Sequence, residues 1–112
     1  MTNTVYGLSI DAADAEKLAH FWAQALGQDI AEGASTEFAT IGSTPRLSFH
    51  QVPEPKTVKN RLHLDLVSST FDAESQRLLA LGATRIRDVE AGSAHWTTFA
   101  DPEGNEFDLI AG

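Results

Sequence analysis

Cysteine is absent from the 112-residue chain, which excludes a disulfide framework, a thiolate zinc site and a cysteine nucleophile. Basic residues are scarce: 8 Lys and Arg stand against 16 Asp and Glu, a net charge of −8. That balance opposes binding to a phosphate backbone, which depends on cationic side chains releasing counterions. Nucleic acid is therefore not an expected partner. No apolar run approaches the roughly 20 residues of a membrane span, and the opening MTNTVYGLSI lacks a basic segment followed by a long apolar stretch. The expected setting is the cytoplasm, with no membrane contact. Also missing are a Gly-rich phosphate loop, a Walker pattern and a GxSxG elbow, which leaves serine-based hydrolysis without support.

What is present suits one folded domain over residues 1–112. A chain of this length buries roughly two-thirds of its unfolded surface, and 42% hydrophobic with 21% charged residues is ordinary for a globular protein. The first half alternates at Leu8 and Ile10 and then switches to a helical spacing at Leu18, Phe21, Trp22, Ala25 and Leu26. Asp14 is the expected N-cap, Glu16 suits the helix dipole and Gly27 supplies the stop. Strands are expected over 29–32, 37–41 and 46–52, separated by Gly33 and by the turn formers at 42–45. The order is βαβββ.

The second half repeats it. Leu62, Leu64 and Leu66 alternate on a strand, Asp72, Ala73 and Glu74 open a helix as Asp14, Ala15 and Glu16 do, and Leu81-Gly82 ends it as Leu26-Gly27 does. Strands follow near 84–89, 95–100 and 106–110, the last two joined by DPEGN at 101–105, a sequence suited to a type I turn. Module 1 thus spans about 4–52, a Pro-containing linker 53–60 and module 2 about 61–110. The linker holds the basic cluster Lys56 and Lys59, with Arg61 just beyond. These three read either as a solvated loop or as a local anchor for an anionic ligand.

One helix covers one face of each sheet and leaves the other for water, a partner or a ligand. Leu8 and Ile10, and likewise Leu62, Leu64 and Leu66, go to the helix. Gly7, Ser9, Asp11, Ser48, His50, His63, Asp65, Glu106 and Asp108 then look the other way. The open faces are polar, with two histidines and several carboxylates. His50, His63 and Asp108 are the constellation singled out, because two imidazoles and a carboxylate can hold a divalent metal (Zn, Mn, Fe or Ni) with open positions. A metal-free pocket lined by the same residues is the preferred reading over the metal, and a sheet face that is simply solvated is the third, since their spacing makes no motif as tight as HExxH. Trp96 reads as pocket wall or core, and Trp22, on the helix stripe, as core. His20 and His95 read as partly exposed bystanders.

The segments LSIDAADAEKLAHFWAQALG, LSFHQVPEPKTVKNRLHLDL, LLALGATRI and FADPEGNEFDL together resemble the glyoxalase-like branch of the glyoxalase/bleomycin resistance/dioxygenase (vicinal oxygen chelate) superfamily. The resemblance implies an α+β fold of paired βαβββ modules forming an incomplete barrel around a concave cavity, and usually a homodimer. Metal-dependent members place a ligand on the first and last strand of each module. Matched in this way, His63 and Asp108 fall on the two ligand positions of module 2, with Asp where Glu is usual. His50 falls near the last-strand position of module 1, open by a residue, and the fourth position falls on Gly7.

Three functions are therefore expected in turn. The leading one is a small-molecule-binding protein of the bleomycin-resistance type, sequestering an aromatic or anionic metabolite or antibiotic in a pocket lined by Ser9, Ser48, His50, His63, Asp65, Trp96 and Asp108. The second is a divalent-metal-dependent lyase, isomerase or dioxygenase with Glu106 or Asp65 as general base. The third is a regulatory module with a vestigial pocket.

Overall fold

Residues 7–12 alternate apolar and polar, and in the computed structural model, which describes residues 2–112, they form strand β1 (Gly7–Ala12). Helix α1 (Ala15–Leu26) follows, capped as its sequence predicts: Asp14 Oδ1 accepts the Lys17 N–H at 3.1 Å, and Gly27 ends the helix at φ 64°. The buried stripe is Ala15, Leu18, Ala19, Phe21, Trp22 and Ala23, whereas Ala25 and Leu26 are half-buried. Strands β2 (Phe38–Ile41) and β3 (Arg46–Gln51) complete a sheet of order β1-β3-β2, with β1 parallel and β2 antiparallel to β3. Leu47, Phe49, Ala39 and Ile41 are buried, and both strands pack against α1.

The strand expected over 29–32 is reduced to a single bridge between Ile30 and Ile41. Only one β-branched residue stands there, between the exposed acids Asp29 and Glu32, too little side chain to hold a longer pairing.

This first unit ends at Pro55, and a second begins at Lys56. Its elements are β4 (Asp65–Ser68), α2 (Phe71–Leu81), β5 (Thr84–Ala91), β6 (Ala94–Ala100) and β7 (Glu106–Ala111). Their order, β4-β7-β6-β5 with β4 parallel to β7, repeats the first-last pairing of the first unit. The chain is thus two modules in βαβββ order, an α+β fold, with the second strand of the first module reduced to the Ile30 bridge. Phe99 and Phe107, fully buried and stacked at 5.6 Å, form the core with Leu78 and Leu109.

Three details of this unit differ from the sequence reading. Leu62 is 81% exposed rather than under a helix. Pairing begins at Leu64, whose carbonyl accepts the Asp108 N–H at 3.0 Å, so the alternation ahead of it has no sheet to act on. Helix α2 is capped at Thr70, so Asp72 and Glu74 occupy its first turn instead of opening it. Finally, residues 56–60 are fastened to the second unit. Asn60 Oδ1 accepts the Glu106 N–H at 3.0 Å, the Lys59 ammonium is paired with the Glu106 carboxylate, and the Lys56 stem lies beside Gly104. The turn that receives them is rigid: Asp101 Oδ1 accepts the N–H groups of Glu103 and Asn105, both at 2.9 Å. Among the described residues no helix is long and apolar enough to cross a membrane.

Candidate functional site

The parallel pairing of β4 with β7 sets Asp65 directly beside Asp108. His63, two residues before Asp65, shares its face because side chains alternate along an extended chain. Its Nδ1 lies 3.0 Å from Asp65 Oδ1. Together His63, Asp65 and Asp108 each offer a ligand atom within 4.8 Å of the others. The first two are exposed and Asp108 is half-buried. On the neighbouring strand Thr98 stands opposite Asp108 and donates its hydroxyl to Asp108 Oδ1 at 2.6 Å. That bond fixes one carboxylate oxygen, the kind of support that orients a metal-binding carboxylate.

Cross-strand register extends this into two rows on the open face. Asp65, Asp108, Thr98 and Arg87 form a polar row across all four strands; Val67, Ile110, Trp96 and Val89 form an apolar row beside it. Trp96 is half-buried there. His95 lies on the opposite face, its ring 4.5 Å from that of Phe71 and its Nε2 3.0 Å from the Asp88 carboxylate. Asp88 is held below the usual carboxylate range, first by the Thr97 hydroxyl at 2.6 Å and then by His95.

Glu106 shares the open face with Asp108. The hydrogen bond from Lys59 lowers its carboxyl below the usual range, with desolvation opposing and the charges of Lys59, Arg87 and Lys56 adding to the effect. It is a carboxylate already committed to a cation, and correspondingly weak as a base.

The first unit carries the same lattice with different residues. Measured back from the first residue of its helix, Ser9 stands where Asp65 does and Gly7 where His63 does. Ser9 pairs with Ser48, and Ser48 with Thr40, so these match Asp65, Asp108 and Thr98. His50 pairs with Asp11 and Phe38, the counterparts of Val67 and Trp96, and its ring lies 5.0 Å from that of Phe38. The last-strand position equivalent to Asp108 is therefore Ser48, and His50 is not a member of the His63, Asp65, Asp108 group. At Gly7 a Cβ would sit 2.6 Å from the Arg46 carbonyl oxygen, so the backbone has no room for a ligand side chain.

Sequence reasoning named His63 and Asp108 with His50 as the metal set and Asp65 as a pocket residue, and did not name Thr98 or Arg87. Thr98 was within reach, because it alternates with Trp96 on a face already read as open. Arg87 was not, because only the register places it in the row.

The fold and the sequence agree with known proteins. The solved structures similar to this chain include a glyoxalase/bleomycin resistance protein/dioxygenase family enzyme from Burkholderia phytofirmans PsJN, with TM-score 0.82, 20% identity and coverage of 97% of this chain and 98% of that one. A mutant of the fosfomycin resistance protein FosX from Listeria monocytogenes, complexed with Mn(II) and 1S,2S-dihydroxypropylphosphonic acid, has TM-score 0.82 and 14% identity, covering 100% and 92%. A glyoxalase-related enzyme from Fulvimarina pelagi has TM-score 0.76 and 16% identity, covering 99% and 89%. Identities this low establish the fold alone. Among curated proteins no sequence relative matches. The glyoxalase-like domain family matches residues 7–110, nearly the whole chain, and the chain belongs to that family.

Proposed function

We propose that the protein binds a small molecule on the open face of the second sheet, with a divalent metal held by His63, Asp65 and Asp108 as its polar anchor. The observation that carries this reading is the convergence of one imidazole nitrogen and two carboxylate oxygens within 4.8 Å. One nitrogen and two hard oxygen donors suit Mn, Fe, Zn or Ni. When bound, such a metal supplies a Lewis acid to which oxygen atoms of a ligand can attach. The chain's own residues hold and orient: Thr98 sets the Asp108 carboxylate, and Asp65 sets the His63 ring.

Binding is favoured over turnover because both candidate bases are committed, Glu106 to Lys59 and Asp65 to His63. The alternative, a metal-dependent lyase, isomerase or dioxygenase, draws its support from the Mn(II) in the FosX structure. It requires Glu106 to leave Lys59, or Asp65 to leave His63, and take a proton from a substrate.

Calorimetric titration of Mn2+ into the untagged chain tests the reading. Stoichiometric uptake is expected, lost in His63→Ala and in Asp108→Asn. Uptake that survives both substitutions, or none in the parent, overturns it. A homodimer belongs to the same proposal, since β1, β2, β4 and β5 are the edge strands of their sheets and a partner chain is one way to cover such edges. A monomer mass in light scattering would remove it.

A further inference from the structure

We infer that the ligand of this site is an amphipathic acid: a small molecule whose carboxylate or phosphonate lies along the row Asp65, Asp108, Thr98 and Arg87, and whose apolar body lies along Val67, Ile110, Trp96 and Val89. The inference rests on the reading of the site given above and names its ligand class.

The two rows share one face, and adjacent rows of one face are two residues apart along each strand, about 6.5–7 Å. That separation matches an acid head and the near edge of a ring or short alkyl chain on one small molecule. The apolar row is no buried core: Val67 is 70% exposed, and Ile110, Trp96 and Val89 are half-buried. A four-residue apolar stripe beside a charged row offers the apolar body of a ligand a surface to lie on.

Charge decides what sits at the polar end. Arg87 takes part in no ion pair and no side-chain hydrogen bond among the described residues, although its charge is felt at Glu106. Strands lie about 4.8 Å apart, so an arginine two strands from Asp108 can bring its guanidinium close to the cluster. Lys59 and Lys56 lie on the same side, tethered by the Asn60 and Gly104 contacts. With a divalent metal in place, three basic residues and the metal outweigh Asp65, Asp108 and Glu106. The patch is then positive in a chain whose net charge is −8, and an anion is the ligand it selects. A guanidinium fork also matches a carboxylate or phosphonate in geometry. A neutral chelator would leave Arg87 unused, and a small acid without a body would leave the apolar row bare.

The test uses the full chain loaded with Mn2+ and three probes: mandelate, which has both an acid and a ring; lactate, which has the acid alone; and catechol, an aromatic chelator without an acid. Mandelate is expected to bind at least tenfold more tightly than either of the others. Arg87→Gln, at an exposed position, should remove that preference for mandelate over catechol without weakening Mn2+ binding, since a nearby cation can only oppose the metal. Val67→Asp should remove the preference over lactate. Equal binding of the three probes, or an unchanged preference in Arg87→Gln, overturns the inference. Should Mn2+ not bind, the metal reading fails and the acid preference, which needs the metal's charge, fails with it; tighter binding of mandelate than of lactate to the metal-free protein, lost in Val67→Asp, would still support the apolar row. A face covered by a second copy of the chain would give concentration-dependent Trp fluorescence with no response to mandelate, which also overturns it.

Discussion

Replacing Thr98 by valine removes one hydroxyl and keeps the shape of the side chain. Thr98 is 4% exposed, and its hydroxyl donates to Asp108 Oδ1 at 2.6 Å. A hydrogen bond to a charged group contributes about 1.5–3 kcal/mol. Because Asp108 is half-buried, water replaces part of what is lost, and the low end, about 1.5 kcal/mol, is expected. The second effect is on the metal. Loss of a group that orients a ligating carboxylate weakens metal binding by about 10- to 100-fold. Thr98→Ser keeps the donor and should recover most of the metal affinity, although its missing methyl will lower stability. Urea melts of the three proteins read the first effect, and Mn2+ titration reads the second. If Thr98→Val loses the expected stability but binds Mn2+ as the parent does, Asp108 is not a ligand and the bond is structural only. Stability that does not change at all would mean the bond itself is absent in solution.

Two further outcomes follow from single contacts. Gly7→Ala should cost about 1–3 kcal/mol in a denaturant melt, because the new Cβ would meet the Arg46 carbonyl oxygen at 2.6 Å; an unchanged midpoint would show that β1 and β3 can separate there. Thr97→Val removes the largest cause of the lowered Asp88 pKa. A carboxylate whose folded pKa is lowered contributes stability above its unfolded pKa and loses it as pH falls through the folded one. The variant should therefore be less stable than the parent at pH 7, with the gap closing as the pH falls below the usual carboxylate range; a gap of constant size would place the effect in packing.

How much of this was legible in the sequence differs between elements for physical reasons. Helix α1 was readable because its stripe and both caps are local signals, from Asp14 to Gly27. The strand faces were readable too, since alternation alone sends Asp65 and Asp108 one way and Leu66 and Leu109 the other. Register was not. A shift of two residues leaves every side chain on its face but changes its neighbours, and this is how His50 came to be aligned where Ser48 stands. The Lys56 to Asn60 segment reads as a free linker because its partners, at Gly104 to Glu106, lie far along the chain. Leu62 fails in the opposite sense: its alternation is sound, but no strand pairs there.

The two modules supply their own control, because the register makes Thr40 the counterpart of Thr98. Both are buried on the face away from the helix, at 3% and 4% exposure. Thr98 has a carboxylate to donate to; Thr40 stands beside Ser48, and its hydroxyl has no partner among the described residues. Burying a hydroxyl without a hydrogen bond costs about 1–3 kcal/mol, and valine removes the hydroxyl at nearly equal volume. Thr40→Val should therefore raise stability by about 1 kcal/mol, while the same substitution at position 98 lowers it. Identical chemistry at matched positions would then give opposite signs, set only by what faces each threonine. Urea melts of the two single variants and the double variant decide it, and the two effects should nearly cancel in the double if the sites are independent. Should Thr40→Val be destabilising like Thr98→Val, the Thr40 hydroxyl has an acceptor in solution, and the polar row of the first module binds something that the serines alone do not account for.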